Sequence, residues 1–213
     1  MSFEIKPKQT LLFIGDSITD SGRCEAHTPL GNRYVKFITD MIRARYPDHR
    51  INVINKGTSG QTIEDLANRW TDDVIRHKPH WLSIKIGIND LHKNLKGVAR
   101  CNSTTDFEQI YDDILTRTQK KTKAKIILIN PFYISTNSDP NSWRSTVLKH
   151  LPKYIQAVHI MARKHRTRLV KTHHLFQYQL RSHKPDVFCP EPVHPNHSGH
   201  MVIAMGWLHA VRW

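Results

Sequence analysis

The chain has 213 residues, of which 38% are hydrophobic and 23% charged, which excludes a disordered protein and is typical of one globular domain, residues 1–213. No apolar run approaches the ~20 residues of a membrane span and no hydrophobic signal region begins the chain, so we expect a cytoplasmic protein without a transmembrane segment. The net charge of +14 attracts anions in general, but the two basic clusters, Gln119–Lys125 and Met161–Arg168, contain no interleaved aromatic residues, so no nucleic-acid partner is expected.

Short apolar, β-branched segments alternate with segments of helical spacing along the chain. In chain order the pattern predicts a strand at Thr10–Gly15, a helix at Tyr34–Tyr46, a strand at Ile51–Gly57, a helix at Thr62–His77, a strand at His80–Asp90 that ends in a polar turn, a helix at Ser103–Lys121, a strand at Ala124–Asn130, a helix at Leu151–His165, a strand at Thr167–His173 and a helix at His197–Trp213. The stretches Leu91–Ser103 and Ile134–Ser145 are predicted loops.

This alternation predicts a single-domain α/β fold, a three-layer α/β/α sandwich with a mostly parallel five-stranded sheet. The strands are almost continuously apolar, as expected for strands buried on both faces. Lys85 is an exception, because a central strand rarely carries a lysine unless it is paired or reaches solvent. Trp70 and Trp81 are predicted core residues.

Polar residues follow several of the predicted strands, and the carboxyl ends of parallel strands meet at one edge of a sheet. Ser17, after the first strand, is a candidate nucleophile. The backbone N–H groups of Ser17 and Gly60 and the side-chain amide of Asn89 are candidate donors to an oxyanion. These are the parts of an acyl-transfer site, although Gly-Asp-Ser alone is equally typical of a turn.

A serine nucleophile needs a base, and His194 in "CPEPVHPNHSGH" is the candidate. Pro192 and Pro195 favour extended backbone at Glu191 and His194, which lets the carboxylate fold back onto the imidazole. In a serine triad such a carboxylate holds the histidine in the correct tautomer.

These motifs resemble, in the right order, the SGNH hydrolases, also called the GDSL esterase/lipase superfamily. "GDSITD" is similar to the first block of that family, "NKGTSGQT" to the second, "IGIND" to the third and "VHPNHSGH" to the fifth. The longer strings are most similar to a microbial branch that includes carbohydrate acetylesterases acting on xylo-oligosaccharides. The resemblance implies a flavodoxin-like fold, Ser17 as nucleophile, His194 as base, Gly60 and Asn89 in the oxyanion hole, and no cofactor.

The sequence departs from the family at Glu191, where the family usually has aspartate three residues before the histidine. Glutamate serves as the third triad member in some α/β-hydrolases, so activity is compatible with this residue. A catalytically impaired binding protein is the alternative from another functional class. A lysophospholipase or thioesterase is the alternative within the family, but the predicted loops are polar, which favours a small ester, with acetylated sugar as the expected partner.

Other polar residues are candidates for further roles. Asp16 and Arg23 are candidate substrate-binding residues, with a structural role as the alternative for each. His194, His197 and His200 have a spacing that occurs in zinc sites, but no carboxylate completes the set, so no metal is expected. The three cysteines fit no disulfide framework and indicate a reducing compartment. A homo-oligomer is compatible with the sequence.

Overall fold

The computed structural model describes residues 3–98 and 103–213. Five parallel strands form one sheet in the order β2-β1-β3-β4-β5. They are β1 (Thr10–Gly15), β2 (Asn52–Gly57), β3 (Trp81–Lys85), β4 (Lys125–Ile129) and β5 (Arg168–Val170). The helices are α1 (Ser17–Asp20), α2 (Tyr34–Arg45), α3 (Ile63–Asn68), α4 (Ile88–Leu95), α5 (Thr104–Lys121), α6 (Trp143–Lys164), α7 (Thr172–Gln179) and α8 (His197–Ala210).

The helices form two layers, one on each face of the sheet. In one layer α8 packs against α2 and α7, and in the other α5 packs against α3 and α6, which also contacts α4. The indole rings of Trp70, Trp81 and Trp207 are buried in the core between the layers and the sheet. The predicted three-layer α/β/α fold and the two predicted core tryptophans are therefore confirmed.

The strands agree with the predictions more closely than the helices do. The predicted third strand is too long, because Gly87 has a φ of +123° and turns the chain into α4, so that Asn89 and Asp90 lie in a helix. The predicted loop at Leu91–Ser103 is wrong up to Leu95 for the same reason, while its residues 99–102, including Cys101, lie outside the described residues.

Three further predictions also need correction. The predicted helix Thr62–His77 is α3 followed by a π-helical turn at Thr71–Ile75. Helix α6 begins two turns before the predicted start at Leu151, and it holds Pro152 in its interior although proline is typical of a first turn. The predicted strand Thr167–His173 is too long, because helix α7 begins at Thr172; only Thr172 and Phe176 of this helix are buried.

The helices show two further features. No helix among the described residues is long and apolar enough to cross a membrane. Thr62 caps α3 with Asp65 in a reciprocal capping box, as the sequence spacing indicates.

Candidate active site

The strand order places a crevice at the carboxyl ends of β1 and β3. The chain leaves β1 for β2 on one side and later returns to β3 on the other, so the direction of winding reverses between these neighbours. In open α/β sheets ligands bind at such a reversal. Ser17 follows β1, and Asn89 follows β3, so the fold brings both residues to this crevice.

Ser17 is the first residue of α1, and Asp16 is the residue that caps this helix. The Asp16 carboxylate accepts a hydrogen bond of 3.1 Å from the backbone N–H of Ile18. The N–H of Ser17 makes no hydrogen bond to any described residue, so it is available to a ligand. The chain therefore turns sharply at the end of the strand and presents Ser17 at the start of the helix.

His194 lies within hydrogen-bond distance of Ser17. The Ser17 Oγ and His194 Nε2 atoms are 2.9 Å apart. On the other side of the ring, His194 Nδ1 is hydrogen-bonded to Glu191 Oε1. The Glu191 carboxylate also accepts hydrogen bonds from the backbone N–H of His194 at 2.8 Å and from that of Val193 at 3.1 Å. The structure thus brings together the three residues that the sequence motifs nominated.

The longer glutamate side chain reaches the imidazole because it folds back over its own loop. The two backbone donors hold the carboxylate against residues 193 and 194, which fixes it under the histidine ring. Both partners remain accessible, with side-chain exposures of 47% for Glu191 and 59% for His194. Asp186, the nearest other acid in this segment, lies in a 3₁₀ turn at Pro185–Val187.

The two other oxyanion candidates, Gly60 and Asn89, are close neighbours. The Asn89 side-chain amide donates a 3.0 Å hydrogen bond to the carbonyl of Gln61, the residue after Gly60. This contact uses one amide proton and leaves the second free. Gly60 has a φ of +78°, which suits glycine, and its N–H makes no hydrogen bond within the described part of the chain.

Lys85 explains the charged position in the central strand. It ends β3 beside Gly15 in the sheet register, and its Nζ lies 3.0 Å from Asp16 Oδ2, with both side chains fully buried. Burial lowers the pKa of Lys85, and the Asp16 carboxylate opposes that shift. The lysine in an apolar strand was the sequence signal, but nothing in the sequence identified its partner.

Asp16 is fully buried between this lysine and the start of α1. These contacts favour a structural role for Asp16 over the candidate substrate-binding role. Arg23 likewise donates hydrogen bonds to the carbonyl of Gly57 and, at 3.3 Å, to the hydroxyl of Thr58. Its contacts favour bracing of the turn after β2 over contact with a substrate.

Asp20 is a site residue that the sequence reading missed. Its carboxylate accepts hydrogen bonds from the backbone N–H and the hydroxyl of Ser59, at 3.1 and 2.9 Å. A β-carbon on Gly57 would lie 2.2 Å from the Asp20 nitrogen, so only glycine lets α1 approach β2 this closely. The acid three residues after Ser17 in "GDSITD" was the available signal. Asp20 therefore connects the Ser17 helix to the Gly60 turn.

Asp90 lies in α4 and not in the polar turn predicted at the end of the third strand. It is buried in α4, and its Oδ1 accepts a 2.9 Å hydrogen bond from the backbone N–H of Ile63 at the start of α3. Burial raises the pKa of Asp90 to about 7. Asp90 thus ties α4, which carries Asn89, to the helix that follows the Gly60 turn.

The three spaced histidines do not converge. His197 accepts a 2.7 Å hydrogen bond from Arg33, and His200 is buried with its ring stacked on Tyr34. Burial lowers the pKa of His200 to about 3. Among residues 3–98 and 103–213, no group of three or more histidine, cysteine, aspartate or glutamate side chains is arranged to hold a metal ion.

Cys189, two residues before Glu191, offers no competing nucleophile. Its Sγ–H donates to the Glu191 carbonyl, and burial, with a smaller contribution from the Glu191 charge, raises the pKa of the thiol to about 12. The nucleophilic form is the thiolate, which is therefore negligible at neutral pH.

A parallel α/β/α fold with a serine, a histidine and a carboxylate in hydrogen-bond sequence at the strand ends defines a serine hydrolase. Comparison with known proteins is consistent with this class. The chain is 35% identical to an acetylxylan esterase from Geobacillus stearothermophilus over 211 residues, 95% of this chain and 94% of that protein.

Solved structures agree with the sequence comparison. A catalytic mutant of the Geobacillus stearothermophilus acetylxylan esterase superimposes with a TM-score of 0.89 at 34% identity, covering 99% of this chain and 97% of the other. An alpha/beta hydrolase from the metagenome of Lake Arreo, Spain, superimposes with a TM-score of 0.88 at 30% identity, covering 99% and 98%. The sequence also matches the GDSL-like lipase/acylhydrolase family over residues 13–202.

The chain belongs to the GDSL-like lipase/acylhydrolase family. It is a serine-type carboxylic ester hydrolase.

Proposed function

We propose that this enzyme removes short acyl groups, above all acetyl, from esters on carbohydrate, with Ser17, His194 and Glu191 as its catalytic triad. The hydrogen-bonded series from Ser17 through His194 to Glu191 carries the proposal. The similarity over nearly the whole chain to an acetylxylan esterase supports the substrate class. Other solved structures of that relative are described as catalytic mutants in which a serine or a histidine is replaced by alanine.

In the first step Ser17 Oγ attacks the ester carbonyl while His194 Nε2 takes the hydroxyl proton. Glu191 accepts the hydrogen bond from His194 Nδ1, which keeps Nε2 free as the base and stabilises the imidazolium that forms. The bond between the carbonyl carbon and the sugar oxygen then breaks, His194 gives the proton to that oxygen so that the sugar leaves with a free hydroxyl, and the acyl group stays on Ser17.

Negative charge develops on the carbonyl oxygen as the tetrahedral intermediate forms. The free N–H groups of Ser17 and Gly60 and the second amide proton of Asn89 are the donors proposed to stabilise it. In the second step water attacks the acyl-enzyme, with His194 again as base. The products are the carboxylic acid and regenerated Ser17.

The location of the apolar surface favours a short acyl group over a lipid chain. An apolar groove of about 920 Å³ exists between β5, α7 and α8. Its lining includes neither Ser17, Asn89 nor His194, so this groove does not open at the proposed reaction centre. A lysophospholipase or thioesterase needs an acyl channel that begins at the nucleophile.

Glu191 is proposed to replace the aspartate that is usual in the family. A catalytic mutant of the Geobacillus stearothermophilus relative has an aspartate replaced by alanine, which supports a catalytic carboxylate in that protein. In this chain the Glu191 carboxylate is held by two backbone donors as well as by His194, a geometry suited to the same task.

Two kinetic series test the proposal. The first uses p-nitrophenyl esters of increasing chain length, and we expect kcat/KM to be highest for acetate and to fall steeply with longer acyl chains. The second measures acetate release from acetylated xylo-oligosaccharides. A preference for long acyl chains would instead indicate the lipase class, and absence of turnover on all esters would indicate a binding protein.

A cytoplasmic location, one domain over residues 1–213 and a possible homo-oligomer stay predictions from the sequence. Fractionation of the source cells tests the first, limited proteolysis the second and analytical ultracentrifugation the third.

A further inference from the structure

Trp143 is unusually exposed for a tryptophan of this protein. It is the first residue of α6, and its side chain is 41% exposed, whereas Trp70, Trp81 and Trp207 are at most 1% exposed. Ser142 caps the helix by accepting a 3.1 Å hydrogen bond from the Ser145 N–H. The backbone at Trp143 is therefore fixed while its indole remains in contact with water.

The indole of Trp143 is held in place from the side of α4. The His92 ring lies 5.8 Å away at an angle of 56°, and the Lys96 Nζ lies 5.8 Å from the indole centroid. Lys96, the residue that caps the end of α4, lies four residues after His92, so both contacts reach the indole from the same end of this helix. The exposed part of the ring accordingly faces away from α4.

The same face of α4 leads back to the reaction centre. Asn89 lies three residues before His92, and residues at this spacing have side chains about 5–6 Å apart. After burial and Lys96, the Glu191 carboxylate is the next influence on the pKa of His92, which also places this ring near the triad. Trp143 is thus connected through the His92 ring to the face of α4 that carries Asn89.

The loop that leads to Trp143 is also attached to the loop of the catalytic histidine. The backbone N–H of Ile134 donates a 2.9 Å hydrogen bond to the carbonyl of Pro192, two residues before His194. The ring of Tyr133 lies 5.9 Å from that of His92. These contacts hold the Trp143 indole and the triad in one fixed arrangement.

Burial and the neighbouring cation Lys96 lower the pKa of His92. The imidazole is therefore neutral near pH 7, and it supports the indole as an uncharged ring. An exposed, fixed indole is a surface suited to the apolar face of a sugar ring, whose C–H groups point toward the aromatic face while its hydroxyls remain in water. A simple acyl ester has no part that reaches this surface.

We infer that Trp143 is a sugar-binding subsite, on which a pyranose ring of the saccharide chain stacks while the acyl group of the same chain lies at Ser17. This inference rests on the proposed carbohydrate esterase function and adds a residue that distinguishes saccharide esters from simple esters. Trp143 contacts the substrate but takes no part in bond making or breaking.

The test compares Trp143→Ala with the wild type on two substrates, an acetylated xylobiose and p-nitrophenyl acetate. We expect KM for the acetylated disaccharide to rise about fivefold to tenfold, the range for loss of an aromatic contact, while kcat changes little. Both constants for p-nitrophenyl acetate should be unchanged. Trp143→Phe should recover most of the loss, and Tyr178→Ala, which removes an exposed aromatic ring on α7, should have no effect on either substrate.

Equal losses on both substrates, or no loss on either, would overturn the subsite. Binding of xylobiose to Ser17→Ala and to the double variant Ser17→Ala/Trp143→Ala, measured by saturation-transfer NMR, separates this inference from the proposed function. Binding to the first and not to the second supports the subsite even if no saccharide ester is hydrolysed. No binding to Ser17→Ala overturns the subsite even if p-nitrophenyl acetate is hydrolysed.

Discussion

Ser17 lies between two hydrogen-bonded side-chain pairs of opposite character. On the sheet side, Asp16 and Lys85 are both fully buried with their charged atoms 3.0 Å apart. On the solvent side, Glu191 and His194 are about half exposed. The first pair joins two neighbouring strands at the start of α1, whereas the second pair is formed within one loop of four residues.

The difference indicates that the two pairs serve the nucleophile in different ways. Removing one partner of a buried pair leaves an uncompensated charge in the core, which destabilises a protein by about 3–5 kcal/mol. Exposed pairs contribute only about 0–1 kcal/mol to stability. We therefore expect substitutions at the buried pair to change folding stability, and substitutions at the exposed pair to change the reaction.

The largest effect is expected from Glu191→Gln. Glutamine keeps the shape of the side chain but cannot stabilise the imidazolium, so kcat should fall by up to ~10⁴, the scale known for the equivalent change in a serine protease. The free energy of unfolding in urea should change by less than about 1 kcal/mol. Steady-state kinetics and a urea titration on the same preparation measure both quantities.

Asp186→Asn is the matched control, because Asp186 is an acid of the same segment and should be silent. Glu191→Asp tests the geometry, since an aspartate side chain is one methylene shorter and should fall short of a loop adapted to glutamate. Full activity of Glu191→Gln together with an inactive Asp186→Asn would assign the carboxylate role to Asp186.

The next effect is expected at the buried pair, in Lys85→Met. The charge of Asp16 then has no partner in the core, and the free energy of unfolding should fall by about 3–5 kcal/mol. Lys93→Met, on the exposed side of α4, should change it by less than about 1 kcal/mol. The double variant Asp16→Asn/Lys85→Met removes both charges and should recover part of the loss. A Lys85→Met variant as stable as the wild type would contradict the stabilising role of the buried pair.

Asn89→Ala tests the proposed oxyanion donor of α4, which belongs to neither of the two pairs. The amide is expected to act only after charge has formed on the substrate oxygen, so kcat should fall by ~10²–10³ with little change in KM. A variant with normal kcat and a raised KM would show that Asn89 binds the ground-state substrate only.

The two regions also differ in how far the sequence predicted them. The triad could be predicted from the sequence because Glu191 and His194 are three residues apart and the blocks around Ser17, Gly60 and Asn89 carry recognisable motifs. The strands could be predicted because their residues are apolar almost without interruption. Both signals are local in the chain.

The buried contacts depend on residues that are distant in sequence, and these were not predicted. Lys85 was an evident anomaly, yet its partner Asp16 is 69 residues away. The bond from the Ile63 N–H to Asp90 spans 27 residues. Trp143 lies in the predicted loop Ile134–Ser145, whereas the structure begins α6 at this residue. Only the fold brings such residues together.

The smallest effect is expected from Asp90, a buried acid of α4. Burial raises its pKa to about 7, so the folded protein holds a proton that an unfolded aspartate loses near pH 4. This contribution to stability is complete below about pH 4 and is lost as the pH rises through about 7. Asp90→Asn keeps an oxygen for the Ile63 N–H and removes the titration.

We therefore expect the Tm of Asp90→Asn to gain a few degrees relative to the wild type as the pH is raised from about 5 to 8. Differential scanning fluorimetry across this range measures the difference. Parallel Tm curves for the two proteins would mean that Asp90 does not titrate there.

The assignment of Ser17 as the nucleophile is tested most directly by finding which residue a serine-directed reagent modifies. The wild-type enzyme is treated with a serine-directed fluorophosphonate, digested and analysed by mass spectrometry, with Ser17→Ala treated in the same way. We predict one adduct, on the peptide that contains Ser17, no adduct on the variant, and a loss of ~10³-fold or more in kcat for the folded variant. An adduct on another residue, or a folded Ser17→Ala variant that keeps a tenth of the wild-type activity, would contradict the assignment of Ser17 as the nucleophile.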